Sequence, residues 1–190
     1  MKRILMIAAL AFSTVAMAAG GAPTDPEIAH IAVTANQIDV DAAKFALTKT
    51  KNEQVKQFAH TMITDHTAVI TKATALVKKL KVTPKDNPTS KSLKQGAAKA
   101  KAELKKKSGA DFDKAYVDNE VAYHEAVIGA VDNVLIPNAQ NAELKDLLTQ
   151  VRPALETHLE HAKQLQGELA GGAATTGEHE HGTKPADTGK

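Results

Sequence analysis

The sequence predicts an all-α protein, a four-helix bundle with an additional short basic crossover helix. Three observations lead to this prediction. Only 3% of the 190 residues are aromatic, whereas alanine, the best helix former, is abundant. Apolar positions recur at alternating spacings of four and three, from Val55 to Leu80 and from Leu144 to Leu169, as on the buried face of a helix packed on other helices. Pro, Gly and Asn punctuate the chain between these periodic stretches.

The amino terminus has the features of an export signal. Lys2 and Arg3 precede an apolar run and the small-residue sequence Ala16-Met17-Ala18. We therefore expect a periplasmic or secreted protein. Removing this segment takes away two of the 24 basic residues and none of the 22 acidic ones, so the rest of the chain has no formal net charge. The predicted organisation is a signal peptide over residues 1–18, a spacer over 19–24, the bundle domain over 25–170 and a disordered tail over 171–190.

Composition narrows the possible functions. No later stretch reaches the roughly 18 consecutive apolar residues of a transmembrane helix. Without cysteine, the chain has neither disulfides nor thiolate ligands, so any bound metal must be held by His, Asp or Glu. No nucleophile elbow, phosphate-binding loop or zinc-protease motif is present. The sequence therefore names no reaction, and an enzyme is the less favoured class.

Caps and helix breakers predict the helix boundaries. The first helix has Asp25 as its N-cap and runs to about Thr50. Asn52 caps the second helix, which lasts to about Val82. A lysine-rich helix follows over residues 89–107.

The second half of the chain predicts two more long helices. The fourth helix runs from an N-cap at Asp111 to about Leu135, before a predicted turn at residues 136–138. The last helix occupies about residues 139–170, with Pro153 inside it. The lysine-rich helix, roughly 28 Å long, can carry the chain back along the bundle. The second and fourth helices would then be parallel, which is the one-crossover topology of ferritin-like bundles.

One ionisable residue lies on or beside the apolar seam near the middle of each long helix: Asp39, His66, His124 and His158. In a four-helix bundle such side chains project toward a common axis, where metal sites are built. Three imidazoles and a carboxylate suit zinc, copper or iron better than magnesium or calcium. These four residues are the candidate metal ligands. The alternative is a buried Asp–His network that fixes helix register and holds no metal.

Four further residues lie near the candidate ligands along the chain, and we expect them to act as ligands or to orient an imidazole. The four supporting residues are Asp65, Glu120, Glu156 and His161.

The heights of the four candidate ligands along their helices agree only in part. The expected height offset is about 4.5 Å between Asp39 and His66, but about 9 Å between His124 and His158.

The region from Lys78 to Lys107 contains 11 lysines and only two acidic residues. Such a surface is most often simply solvated. The functional alternative is peripheral contact with an anionic envelope surface, such as lipid head groups or wall polymers. Nucleic acid is disfavoured as a partner, because export removes access to it and no aromatic residues alternate with the lysines.

Three groups of residues are similar to those of a known family. They are Val55-x-x-Phe58-Ala59-x-x-Met62-x-x-Asp65-His66, then Gly109-Ala110-x-Phe112-Asp113-x-x-Tyr116-Val117 followed by His124, and Pro153-x-Leu155-x-x-His158-Leu159. Over about residues 28–170, the chain resembles the exported bacterial family called domain of unknown function 4142. The resemblance implies a ferritin-like helical bundle in the cell envelope, with the four candidate ligands at family positions. It supplies no established activity.

Ferritin-like di-iron proteins carry a Glu-x-x-His motif on two helices. Here Glu120 and His124 are four residues apart, and Glu156 and His158 are two apart, so the pattern does not predict an iron-oxidising centre. The leading hypothesis is an exported bundle that binds a transition metal. The alternative is a cell-envelope scaffold or interaction protein with a structural polar core, and a redox enzyme is a third option.

Overall fold

A computed structural model describes residues 21–175 of the chain. In this part, the capped, periodic stretches of the sequence form helices. All regular structure in this part is helical, which confirms the all-α prediction. The predicted signal peptide and residues 176–190 of the predicted tail lie outside the described residues. The helices are α1 (Asp25–Leu47), α2 (Glu53–Leu80), α3 (Pro88–Lys105), α4 (Gly109–Ala130), α5 (Ile136–Asn138) and α6 (Ala142–Thr175), with a π-helical turn (Val131–Leu135) between α4 and α5.

The apolar interior is divided into two clusters, which we call the lower core and the upper core. The lower core includes Ala46, Phe58, Tyr116 and Leu165, and the upper core includes Ile28, Leu76, Val131 and Leu148. Along the chain, α1 and α6 pass from the upper core to the lower core, whereas α2 and the α4 region pass from the lower core to the upper core. α2 and α4 are therefore parallel to each other and antiparallel to α1 and α6.

The basic helix α3 is the crossover between these parallel helices. Its start lies beside the start of α1, because Asn87 Nδ2 donates to the Glu27 carbonyl (3.2 Å) and the backbone N–H of Lys85 donates to the Pro26 carbonyl (3.0 Å). Its last turn reaches the lower core through Leu104. α3 packs mainly on α1 and also contacts α4. No helix in the described part of the chain combines the length and apolarity needed to cross a membrane.

The N-cap of α1 differs from the predicted one. Thr24, not Asp25, is the N-cap, and its backbone N–H and hydroxyl donate to the Glu27 carboxylate (3.0 and 2.7 Å). The Asp25 carboxylate instead accepts hydrogen bonds from the backbone N–H groups of Gln140 and Asn141 (2.8 and 2.9 Å). Asp25 thereby ties the start of α1 to the turn before α6.

The caps of the two central helices give one confirmation and one correction. The Asn52 side chain caps α2 as predicted, accepting from the backbone N–H groups of Gln54 and Val55 (2.9 and 3.2 Å). The N-cap of α4 is Ser108, so Asp111 lies in the first turn of α4. An acidic side chain there is favourable because it faces the positive end of the helix dipole.

The turn before α6 lies later in the chain than predicted. Residues 136–138 are helical, because the chain continues from α4 through the π-helical turn into α5. Pro137 lies at the start of α5, directly after the π-helical turn. With the turn centred near Gln140, the expected height offset between His124 and His158 falls to about 3 Å. The expected offset of about 9 Å is therefore wrong, and the two ring centroids lie 5.5 Å apart.

Replacing Asp25 with Ala should destabilise the fold by about 1–2 kcal/mol, because two backbone N–H groups lose a charged acceptor. Urea-induced unfolding followed by circular dichroism measures the change. Asp41→Ala is the matched control. Asp41 is exposed on the same helix and accepts a hydrogen bond from the Gln37 side chain (2.9 Å), so its loss should cost less than about 0.5 kcal/mol. Equal losses in the two variants would contradict the role given to Asp25.

Candidate metal centre

A buried polar layer separates the upper core from the lower core. Each of four helices contributes one member: Asp39 from α1, His66 from α2, His124 from α4 and His158 from α6. Their exposure is 5% or less. The centroids of the three imidazole rings lie 5.1, 5.5 and 5.7 Å apart. The structure therefore brings together the four residues that the sequence singled out.

Hydrogen bonding fixes the tautomer of His66. Asn36 on α1 donates through Nδ2 to the Ala32 carbonyl (2.8 Å), which leaves its Oδ1 facing the His66 ring. His66 Nδ1 lies 2.7 Å from that oxygen and therefore donates its proton to it. The other ring nitrogen, Nε2, then carries a lone pair. It is buried and has no hydrogen-bond partner in the described part of the chain.

The other two histidines repeat this pattern. His124 Nδ1 donates to the Glu120 carbonyl (3.0 Å), and His158 Nε2 donates to the Asp65 carboxylate (2.9 Å). The second nitrogen of each ring, Nε2 of His124 and Nδ1 of His158, is buried without a hydrogen-bond partner among residues 21–175. Each imidazole is thus held by an oxygen acceptor on one side and presents a lone pair on the other. Histidines that ligate metals are held in this way.

The Asp39 carboxylate lies beside two of these lone pairs. Its Oδ2 is 3.3 Å from His66 Nε2 and 3.6 Å from His124 Nε2, and neither contact has hydrogen-bond geometry. Ligand atoms about 2.0–2.2 Å from a tetrahedral metal ion lie about 3.3–3.6 Å from one another. The two separations match those expected for neighbouring ligands around one ion. One ring nitrogen from each histidine also lies within 4.8 Å of the others.

A second buried carboxyl group, that of Glu120, adjoins the layer. Its Oε2 lies 3.7 Å from His124 Nδ1, and Asp39, Glu120 and His124 offer ligand atoms within 4.8 Å of one another. Burial, reinforced by the nearby Asp39, raises the pKa of Glu120 well above its ordinary value, although the Asn119 amide opposes the shift. Burial also raises the pKa of Asp39 to about 8. The metal-free layer therefore keeps protons on carboxyl groups at neutral pH.

The pKa values of His66 and His124 shift in the opposite direction, below the ordinary value of histidine. Burial, together with the neighbouring His124 and His158 rings, lowers the pKa of His66 to about 3. Burial lowers the pKa of His124 to about 4, although its hydrogen bond to the Glu120 carbonyl opposes the change. Both rings are neutral near pH 7, so protons do not compete with a metal ion for their lone pairs.

Two of the predicted supporting residues are not brought to the layer. Glu156 is exposed and pairs with Arg152 (2.6 Å), because two residues of helix turn it to the opposite side from His158. His161 is exposed, and its ring packs edge-on against Phe58 with centroids 5.2 Å apart. Both residues were predicted because they are close to His158 along the chain, but the helical rotation places their side chains on exposed sides of α6.

The other two supporting residues do lie beside an imidazole. Asp65 accepts the hydrogen bond of His158, and Glu120 contacts His124 through both its carbonyl and its carboxyl group. The sequence analysis missed Asn36, which holds His66. Its position three residues before Asp39 places both on one face of α1, and this spacing is the signal that identifies it.

Fold and site together define an all-helical protein with a buried His–Asp layer across its middle. The chain belongs to the family described as domain of unknown function (DUF4142), whose family profile matches residues 11–165. This match confirms the resemblance drawn from the sequence motifs, and it includes all four members of the layer. No curated protein and no solved structure matches the chain.

The metal-free protein should lose stability as the pH rises from about 6.5 to 8. The fold keeps the Asp39 proton up to a pKa of about 8, whereas the unfolded chain releases it near 3.8. This contribution is therefore fully present below pH 3.8 and is lost as the pH rises toward 8. The lowered histidine pKa values reduce stability only below their ordinary value of 6.5. Asp39 contributes a loss of up to about 1.4 kcal/mol per pH unit, and Glu120, whose pKa burial also raises, adds a loss of the same sign. Urea unfolding with a chelator present measures the total.

Asp39→Asn isolates this contribution, because an amide does not titrate. The variant should lose the Asp39 share of the decline between pH 6.5 and 8 and keep the share of Glu120, whose pKa burial also raises, whereas Asp41→Asn on the exposed side of α1 should keep the whole decline. An unchanged pH profile in Asp39→Asn would show that another group is responsible.

Proposed function

We propose that this protein is an exported, ferritin-like helical bundle that binds one transition metal ion through Asp39, His66, His124 and His158. The arrangement of lone pairs supports this proposal. One ring nitrogen of each imidazole and both Asp39 carboxyl oxygens are buried without a hydrogen-bond partner in the described residues. A buried polar group left unpaired costs roughly 1–3 kcal/mol. A metal ion between the three imidazoles would satisfy their lone pairs, and the Asp39 carboxyl group lies beside two of them.

The donor set favours zinc, copper or iron over magnesium or calcium, because imidazole nitrogen is a borderline ligand that the harder cations bind weakly. Asp65 strengthens the His158 imidazole as a ligand by accepting its other N–H. A purely structural Asp–His network is the competing explanation. Such a network would be expected to pair its members directly, whereas the Asp39 contacts to His66 and His124 lack hydrogen-bond geometry.

The purified full-length mature protein should retain about one equivalent of zinc, copper or iron, and His66→Ala should lose it. The measurement is elemental analysis by mass spectrometry after extensive dialysis. Chelation should also lower the melting temperature of the wild-type protein but not of the variant. An ion at a hundred times its Kd stabilises the folded state by about 2.7 kcal/mol.

Two control variants separate the centre from other histidines. His161→Ala removes an exposed ring that packs on Phe58, and His179→Ala with His181→Ala removes the histidines near the carboxyl terminus. Both controls should keep the metal. Metal far below one equivalent in the wild-type protein, or metal that His66→Ala leaves in place, would favour the structural network.

The basic surface supports a second, independent candidate function. All 11 lysines between Lys78 and Lys107 are exposed. Asp86 pairs with two of them, Lys91 and Lys94 (3.8 and 3.7 Å), but acids are too few in this region to neutralise the rest. We propose that this surface contacts the anionic head groups of envelope lipids peripherally, through long-range attraction rather than insertion.

Vesicles containing phosphatidylglycerol should bind the wild-type protein at low salt and release it as the ionic strength rises. The triple variant Lys94→Gln, Lys101→Gln, Lys105→Gln neutralises one face of α3. Each lysine near such a surface contributes about 1 kcal/mol, so the affinity should fall by roughly two orders of magnitude in a co-sedimentation assay.

A second triple variant, Lys114→Gln, Lys145→Gln, Lys163→Gln, removes the same charge from exposed positions of α4 and α6 and should bind nearly as well as the wild-type protein. Equal losses in the two triple variants would mean that net charge alone drives binding, which would contradict the assignment to α3.

A further inference from the structure

A cavity of about 150 Å³, which we call the α3 cavity, lies between α1, α3 and α4 beside the polar layer. Its exposed side includes Asp41 of α1 and Lys101 of α3, whereas the buried side chains of Asp39 and Glu120 line its interior. The α3 wall is made largely of alanines, which occupy little of the space: Ala97, Ala98 and Ala100. The cavity therefore connects the surface covered by α3 with the carboxyl groups of the layer.

Asp39 adjoins both the α3 cavity and the histidine lone pairs. Its side chain lines the cavity, and its Oδ2 lies 3.3 Å from His66 Nε2 and 3.6 Å from His124 Nε2. Both Asp39 oxygens are buried without a hydrogen-bond partner among residues 21–175. An ion that reached Asp39 from the cavity would therefore already lie next to two of the three imidazoles.

Glu120 is a buried carboxyl group that the proposed four-ligand site does not use. Neither of its carboxyl oxygens has a hydrogen-bond partner within the described part of the chain, and the buried amide oxygen of Asn119, which lines the same cavity, also lacks one there. Glu120, Asp39 and His124 offer ligand atoms within 4.8 Å of one another, and His124 also belongs to the group of three histidines. Because the two ligand groups share one residue, a single ion can pass between them by exchanging neighbouring ligands.

A second cavity beside the layer, which we call the aliphatic cavity, is less suited to a cation. Its volume is about 60 Å³, and most of its lining outside the three histidines is aliphatic. The Asp65 carboxylate lines it as well but already accepts a hydrogen bond from His158 Nε2 (2.9 Å). A cation gives up its hydration water at low cost only where other ligands replace it. Glu120 and Asp39 supply such ligands in the α3 cavity, and any protons that they hold are released when the cation binds.

We infer that Glu120 and Asp39 form an entry site through which the metal centre is loaded. A divalent transition metal ion reaches the layer through the α3 cavity and binds first to the carboxyl oxygens of these two residues. It then passes to the three imidazoles, while Asp39 stays bound to it and Glu120 lets it go. This inference rests on the proposed metal binding and adds the path by which the ion arrives.

The rate of metal uptake tests the role of Glu120. Metal-free, full-length mature protein is mixed with Co²⁺ in a stopped-flow instrument, and loading is followed through the visible absorption bands of the bound ion. Glu120→Gln keeps the shape of the side chain but removes its anionic form. It should slow loading about tenfold or more, which is typical of losing a carboxylate beside a metal site, and it should still take up about one equivalent.

Asp113→Asn is the matched control for this variant. Asp113 is another buried carboxyl group of α4, about two turns from Glu120, and it is not part of the lining of either cavity. The control should load at the wild-type rate. Loading of Glu120→Gln at the wild-type rate would overturn this inference and leave the proposed function standing. Failure of the wild-type protein to bind Co²⁺ at equilibrium would overturn both proposals.

A second pair of variants tests the path itself. Ala97→Leu narrows the α3 cavity and should slow loading severalfold, whereas Ala154→Leu places the same side chain in the aliphatic cavity and should leave the rate unchanged. Circular dichroism checks that each variant folds. Ala98→Leu, at an exposed position that lines the α3 cavity, replaces Ala97→Leu if that variant does not fold. Slower loading in Ala154→Leu alone, equal slowing in both or no slowing in either would overturn the assigned path.

Discussion

The burial of a polar layer in the middle of the bundle is the constraint on which the rest of the structure depends. Apolar seams on the helices are interrupted once each, by Asp39, His66, His124 and His158. Groups of this kind destabilise an interior unless they are satisfied. The upper and lower cores on either side bury enough apolar surface to tolerate the interruption. The layer therefore lowers the stability of the metal-free fold.

The order of this layer comes from three different anchors. A side-chain amide holds His66, a backbone carbonyl holds His124 and a carboxylate holds His158. Because the anchors belong to different helices, the rings keep one relative orientation only while the helices stay packed. Such preorganisation lowers the entropy lost when a ligand binds. The layer also borders two cavities, one lined by the three histidines together with many aliphatic side chains and the other lined in part by Asp39 and Glu120.

The sequence predicts the helices and the composition of the layer because both follow from spacing along one helix at a time. It predicts the remainder less well because that depends on packing between helices. Residues 136–138 were expected to form a turn, but they are helical because the chain continues into them through the π-helical turn. Asn36 holds His66 across two helices, a contact that spacing on α1 suggests but does not determine. Glu156 lies near His158 in sequence and on another side of α6 in space.

The crossover helix α3 also divides the bundle into two hairpins, α1 with α2 and α4 with α6. Asp39 and His66 belong to the first hairpin, and His124 and His158 belong to the second. Neither half alone contains a complete ligand set. An ion bound by both hairpins would hold them together. Its binding energy would offset the conformational entropy lost when segments far apart in the chain come into contact. Folding would then be linked to the supply of metal.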